Sequence, residues 1–357
     1  MSKITLPIVF GLLFGVLLAG CHPNEEPKPQ ATPFELPMPL FFPTVTNIPP
    51  DNPMTEEGIA LGKKLFFDSL LLSPQPSTLN PHLSACCASC HHPAHAFEYG
   101  PEATPDFLGT HHAMLPLINI AWNTQGLGWN GSVATLEDMV YAAYTDPKEI
   151  ATDTTTVVTR LQQSETYPEL FKKAFGTETI TFVQVEKAIA QYVRSLVFSN
   201  SKFDRYLRGE DQLTQDELNG YLLFITEDGG DCFHCHGGGS NALFTTNLFY
   251  NNGLDSEFND PQDRHAVTHD PNDRGAYKAP TLRNIALTAP YMHDGRFHSL
   301  DEVIDFYSDS VHYSEQISPL MHHVMQGGVQ LTDLEKQQLK AFLHTLTDTT
   351  FMTNELP

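Results

Sequence analysis

Two short segments carry residue types and spacings that can do chemistry: Cys87-Ala88-Ser89-Cys90-His91 and Cys232-Phe233-His234-Cys235-His236. Two thiols at this spacing reach the two vinyl groups of one porphyrin. The histidine that follows then lies under the iron as its proximal ligand, which makes the pattern the attachment signature of haem c. Paired thiols serve two other chemistries, a four-thiolate zinc centre and a dithiol redox pair. Neither requires a histidine directly after each pair. The expected cofactors are therefore two covalently bound haems c. The first would be held by Cys87 and Cys90 with His91 on the iron, the second by Cys232 and Cys235 with His236. Six cysteines in 357 residues are too few for a disulfide scaffold. The two outside the motifs need their own reasons, and Cys86 is expected to be a free or buried thiol.

The other is Cys21. An apolar run from Ile4 to Ala19 follows Lys3 and ends in Leu18-Ala19-Gly20-Cys21. It is short for a membrane span and suits a signal h-region. Its end resembles a bacterial lipobox, in which cleavage precedes the cysteine and the cysteine is acylated. Residues 1–20 are then a lipoprotein signal peptide. The expected location is outside the cytoplasmic membrane, facing the periplasm or the cell surface, with lipid on Cys21 as the membrane anchor. Residues 21–50 are dense in proline and read as an extended tether. Its later part carries Phe34, Leu36, Met38, Leu40, Phe41 and Phe42, which are expected to pack back on the body.

The elements that must position the two motifs read as helices. Thr55-Glu56-Glu57 is an N-cap with acidic first-turn residues, and Ile59, Leu61, Leu65 and Phe66 mark one apolar face. Phe182, Val185, Ile189, Val193 and Leu196 step by three and four, as an amphipathic helix does. Further helices are predicted over Leu136–Tyr144, Thr214–Phe224, Leu300–Tyr307 and Leu331–Leu346. Long alternating strand patterns are absent. The chain is expected to be mainly α, in two cytochrome c-like helical domains with long loops: residues 51–200 around the first haem and 201–357 around the second. Loops of this length usually need more than packing to order them, and a large cofactor would do it. Composition is that of a globular protein. With 20 basic and 43 acidic side chains, a net charge of −23 speaks against nucleic acid as a partner.

Several segments in order resemble the bacterial di-haem cytochrome c peroxidase and MauG superfamily, from about Asn52 to Asp348. They are Leu61-Gly62-Lys63-Lys64-Leu65-Phe66-Phe67-Asp68, Ser201-Lys202-Phe203-Asp204-Arg205-Tyr206, Lys278-Ala279-Pro280-Thr281-Leu282-Arg283-Asn284 and Ala289-Pro290-Tyr291-Met292-His293-Asp294-Gly295, with a last helix opening at Leu331-Thr332. The resemblance implies a peroxidase with an open, peroxidatic N-terminal haem and a six-coordinate C-terminal haem that handles electrons. It places Trp129 between the haems. It places Glu149, 20 residues further on, above the peroxidatic iron as the catalytic acid–base. It also implies that Tyr307 stands where cytochrome-oxidising members carry a methionine as sixth ligand of the second haem and MauG-like members carry a tyrosine. Met321 or Met325 is the alternative ligand.

The departures from the family pattern are local. Trp-Asp-Gly-Arg appears here as Trp129-Asn130-Gly131-Ser132, losing an acid and a base. A calcium ion often sits near the tryptophan in this family. Ala113 stands where an asparagine would bind it, while Thr288 and Pro290 still offer backbone carbonyls, so calcium is left open. His111 or His112 is a candidate resting ligand of the first haem. The favoured function is a hydrogen-peroxide-dependent, MauG-like oxidoreductase that oxidises a protein partner. The alternatives are a cytochrome c peroxidase that draws electrons from a small cytochrome, and a di-haem electron-transfer lipoprotein inert to peroxide.

Overall fold

A computed structural model describes residues 31–69, 86–100, 112–146, 149–150 and 152–350. Cys21 and His111 lie outside the described residues, as does the rest of the segment before residue 31. The protein is mainly helical. Thr55 caps helix Glu56–Phe67, its hydroxyl accepting from the Gly58 amide at 3.1 Å. Helix Leu136–Thr145 begins on Thr135 in the same way. Helices Phe182–Arg194, Lys202–Leu207, Gln215–Phe224, Leu300–Asp309 and Asp333–His344 all start with a reciprocal capping box. In each, a Thr or Ser hydroxyl accepts from the third helical amide, and the Gln, Asp or Glu at that third position reaches back to the cap.

The longest helices not anticipated are Thr154–Gln163 and Tyr167–Phe175; the shorter Lys202–Leu207, Phe233–His236 and His265–Thr268 were not expected either. Asp153 caps Thr154–Gln163, and Gly176 ends Tyr167–Phe175 at φ 74°, a left-handed conformation glycine takes without steric cost. The only paired strands among the described residues are Phe249–Tyr250 and Tyr277–Lys278, antiparallel, with Phe249 opposite Lys278.

Two aromatic-rich cores organise the chain. The first gathers Leu61, Leu65 and Phe66 against Val185, Ile189 and Val193. The second gathers Phe203, Phe224, Phe244, Phe342 and Leu346. Each contains one close helix crossing. A Cβ on Gly62 would stand 1.9 Å from the Ala188 carbonyl oxygen, and a Cβ on Gly220 would stand 1.9 Å from that of Gln338. Helix Glu56–Phe67 thus lies directly on Phe182–Arg194, and Gln215–Phe224 directly on Asp333–His344. In both halves the helix before the haem motif crosses the last helix of that half. Two buried bidentate ion pairs brace the arrangement: Arg194 on Glu137 at 2.7 and 2.8 Å, and Arg283 on Asp204 at 2.9 and 2.6 Å.

The proline-rich segment packs back only in part. Phe42 is buried against Trp122, their centroids 4.9 Å apart, and Leu36 joins the same cluster. Met38, Leu40 and Phe41 stay 45–50% exposed. A turn at Leu40–Phe41, closed by the Phe42 amide on the Pro39 carbonyl at 3.1 Å with Phe41 at φ 61°, sends Phe42 inward and leaves its neighbours outside. Among the described residues no helix is long and apolar enough to cross a membrane.

Candidate haem sites and the junction between them

The first motif folds as one 3-10 turn, Cys87–Ser89, with the Cys90 and His91 amides both donating to the Cys87 carbonyl. The left-handed pair Ala96 and Phe97 then turns the chain back, so that the Phe97 carbonyl lies 2.9 Å from His91 Nδ1. A carbonyl only accepts, so Nδ1 carries the hydrogen and Nε2 keeps its lone pair. Burial pulls the ring's pKa down to about 4, which keeps it neutral at physiological pH. This is what an iron-binding imidazole requires. Burial also pushes the Cys87 and Cys90 thiols up to about 12 and about 11. The buried Tyr144 hydroxyl, on helix Leu136–Thr145, faces the Cys87 sulfur. Cys86 is a free, partly exposed thiol whose Sγ lies 3.5 Å from Ser89 Oγ.

The second motif repeats this arrangement. Helix Phe233–His236 places His236 Nδ1 3.1 Å from the Pro280 carbonyl, and burial again lowers its pKa to about 4. Cys232 and Cys235 are both pushed up to about 12 by burial. Tyr307, on helix Leu300–Asp309, shares this site. Burial raises its phenol first, and the Cys235 and Cys232 sulfurs add to that rise. Asn252 donates to the phenol oxygen at 2.9 Å, the one neighbour that favours the phenolate. Met321 packs in the same cluster as Tyr307, whereas Met325 is 77% exposed.

The four motif thiols do not converge on one metal. Among the described residues the only trio of ligating side chains that gathers is Glu227, His234 and His322. Thiols with raised pKa values are also the reverse of a reactive dithiol, whose pKa is lowered. The donor set fits haem c: in each half a buried thiol pair is followed by a neutral imidazole held by a carbonyl behind it. A covalently bound haem would supply an iron able to take up peroxide and hold its oxidising equivalents.

Glu149 follows the end of helix Leu136–Thr145, its amide donating to the Asp146 carbonyl at 3.1 Å. The side chain is solvent-accessible. Its carboxyl is nevertheless raised above its ordinary value, by burial first and the Asp146 carboxylate second. Its charge is felt at Cys90, so it stands beside the first haem motif.

Trp129 lies where the two halves meet. Its indole N–H donates to the Ala113 carbonyl at 2.7 Å, and its own carbonyl accepts from the Lys278 amide at 2.8 Å. Its ring is 6.5 Å from His293, which stacks on Tyr277 at 3.7 Å. The other tryptophan, Trp122, is buried in a hydrophobic cluster and donates to the Pro43 carbonyl. Ala113 also donates its amide to the His293 carbonyl at 2.7 Å, which puts it next to the segment that carries Thr288 and Pro290.

His112 belongs to this junction. Its Nε2 meets Asp260 Oδ2, and Tyr277 donates to the same oxygen at 2.7 Å. Several participants carried no signal in their spacing. Asn252, which orients Tyr307, sits in an ordinary Asn-Asn-Gly turn. Glu98 is 1% exposed, with Oε1 unpartnered among the described residues. The buried Lys278 ammonium donates to the Asn247 carbonyl at 3.1 Å, and burial lowers its pKa to about 7.

The model of the di-haem cytochrome c peroxidase family matches residues 56–212. The methylamine utilization protein MauG of Methylophilus methylotrophus is 30% identical over 306 residues, covering 84% of each chain. Cytochrome-c peroxidase IdrP1 of Pseudomonas sp. (strain SCT) is 31% identical, covering 92% of this chain and 86% of its own. A crystal structure of a MauG-like protein associated with microbial copper homeostasis superposes with a TM-score of 0.77 at 32% identity, over 90% of this chain and 97% of that one. With paired thiols and a carbonyl-held neutral imidazole in each half, and relatives matched over nearly its whole length, the chain belongs to the family of di-haem cytochrome c peroxidases and MauG proteins, and it is a di-haem peroxidase.

Proposed function

We propose that this peroxidase works as MauG-like proteins do, drawing its electrons from a side chain of a protein partner. The observation that carries this reading is Tyr307, set against the Cys232 and Cys235 sulfurs with its oxygen hydrogen-bonded by Asn252. A phenol this far above its ordinary pKa ionises only against a strong local charge, which a ferric iron provides. A phenolate ligand donates charge, disfavours the ferrous state and suits storage of an oxidising equivalent. A thioether favours ferrous iron and suits uptake of electrons from a cytochrome. In the first half, Glu149 would move the proton of the bound peroxide from one oxygen to the other. Trp129 would link the haems.

The cytochrome c peroxidase alternative has one observation in its favour. Met292 Sδ lies 3.8 Å from the same Asn252 amide, so a thioether is close to the same site. The test is spectroscopic. The expected ferric second haem is low-spin, with His236 and Tyr307 as ligands and no near-infrared methionine-to-iron band. That band, together with an unchanged spectrum in Tyr307→Phe, would return the protein to the cytochrome-oxidising branch. So would rapid steady-state oxidation of reduced cytochrome c by peroxide.

Two further parts belong to this reading. Export and acylation at Cys21 follow from the Leu18-Ala19-Gly20-Cys21 segment, and mass spectrometry of the N-terminal peptide tests them. Calcium would rest on the Thr288 and Pro290 carbonyls and water, because Ala113 supplies no side-chain oxygen. A site so poor in protein ligands binds calcium weakly, so metal analysis after gel filtration is expected to find it substoichiometric.

A further inference from the structure

Beside the second haem motif lies a set of side chains that haem chemistry does not use. Glu227, His234 and His322 each bring a ligating atom within 4.8 Å of the other two. His234 Nε2 is 3.6 Å from Glu227 Oε1. A tetrahedral ion with bonds of about 2.0–2.2 Å holds its donors roughly 3.4 Å apart, so this pair already stands at ligand spacing.

The residue behind them turns a surface cluster into a built site. Asp231 has a side chain only 6% exposed and lies between the two imidazoles. Its Oδ1 is 2.7 Å from His234 Nδ1, and its Oδ2 is 3.1 Å from His322 Nδ1. A carboxylate accepting from both Nδ1–H groups fixes both tautomers and leaves both Nε2 lone pairs outward. This carboxylate–histidine arrangement is how proteins orient metal-binding imidazoles. The two rings are near perpendicular, at 86° with centroids 5.1 Å apart. His323 Nε2 lies 2.9 Å from the Glu227 carbonyl and ties the third ligand's backbone to the loop that carries His322.

We propose that Glu227, His234 and His322 form a binding site for a divalent d-block cation, with Asp231 as the positioning residue. Two imidazoles and a carboxylate suit zinc or copper(II) and are too nitrogen-rich for calcium or magnesium. Two carboxylates around two neutral imidazoles also match the charge of a divalent ion. His234 stands between Cys232 and Cys235, so the ion would sit at the edge of the second haem's attachment. There it would join the turns at 227 and 322 to the short helix Phe233–His236.

The test uses the full, haem-loaded protein titrated with zinc by calorimetry and with copper(II) by electron paramagnetic resonance. One saturable equivalent is expected, with nitrogen hyperfine structure from two imidazoles on the copper signal. Glu227→Gln and His322→Gln lie outside the haem motif and should keep both haem spectra. Each is expected to weaken zinc by more than the roughly 10–100-fold loss expected for Asp231→Asn. Zinc binding that is not saturable, or that is equally tight in Glu227→Gln and His322→Gln, would overturn the proposal and leave these histidines as surface ion pairs.

Discussion

Glu149 shows what singles out one carboxylate among 43 acidic residues for a proposed role. Composition makes it a solvated acid, and only its register after Trp129 and its place beside Cys90 set it apart. Glu149→Gln keeps shape and removes the transferable proton. It is expected to leave both haem spectra nearly intact and slow peroxide consumption by about 10²–10⁴-fold. Stopped-flow mixing with hydrogen peroxide measures this, and an unchanged rate would remove Glu149 from the chemistry. Glu98 is the contrasting acid, missed because nothing in its spacing marks it. Burial pushes its carboxyl from 4.5 up to about 8. Below 4.5 it is protonated whether the chain is folded or not. Between 4.5 and 8 the folded chain holds a proton that the unfolded chain has released, so this residue's contribution to stability falls as pH rises and levels off above 8. Glu98→Gln removes that dependence. Its melting temperature is expected to vary less than the parent's between about pH 5 and about pH 8, and parallel curves would mean that Glu98 is ionised in the fold.

At the scale of elements, the helices that hold the motifs were legible because their caps are local chemistry. Thr55, Thr214, Ser299 and Thr332 each precede an apolar periodic run and sit at an observed N-cap. Thr154–Gln163 was missed because three threonines occupy its first turn, and β-branched residues read against a helix until tertiary packing overrides them. The glycine crossings were not legible either, since a glycine inside a helix ordinarily signals weakness. Propensity alone credits Gly62→Ala or Gly220→Ala with a gain of about 1 kcal/mol. The close approach reverses that sign. A Cβ 1.9 Å from a backbone carbonyl cannot be relieved by a side-chain rotation, so two helices must separate. Each substitution is expected to cost about 1–3 kcal/mol or more in denaturant unfolding. A raised midpoint in either variant would show that the crossing is looser than the structure has it.

Across the whole molecule, the function depends on how the two halves are joined. Each half builds its own haem site from its own chain, yet the junction mixes them: Ala113, His112 and Trp129 come from the first half, Tyr277, Lys278 and His293 from the second. Sequence spacing within one half cannot show which residue of the other half it will meet, so the His293–Tyr277 stack and the Asp260 bond to His112 were not visible. His112, a candidate resting ligand of the first haem, has its Nε2 against Asp260 Oδ2. Trp129 was visible only through the family resemblance, and the structure puts it at the seam of the two halves. It is partly buried, outside the hydrophobic clusters, and bonded at its indole to the first half and at its carbonyl to the second. Trp129→Phe keeps an aromatic ring of similar thickness but loses the indole N–H and the more easily oxidised ring. The variant is expected to retain both haem spectra, His236 ligation and peroxide consumption at the first haem. Oxidation of a pre-reduced second haem after mixing with peroxide should slow markedly. Following the two haem absorbances in one stopped-flow trace separates these outcomes. Equal slowing at both haems would point to a disturbed first site, and an unaltered second phase would mean that electrons pass between the halves without the indole.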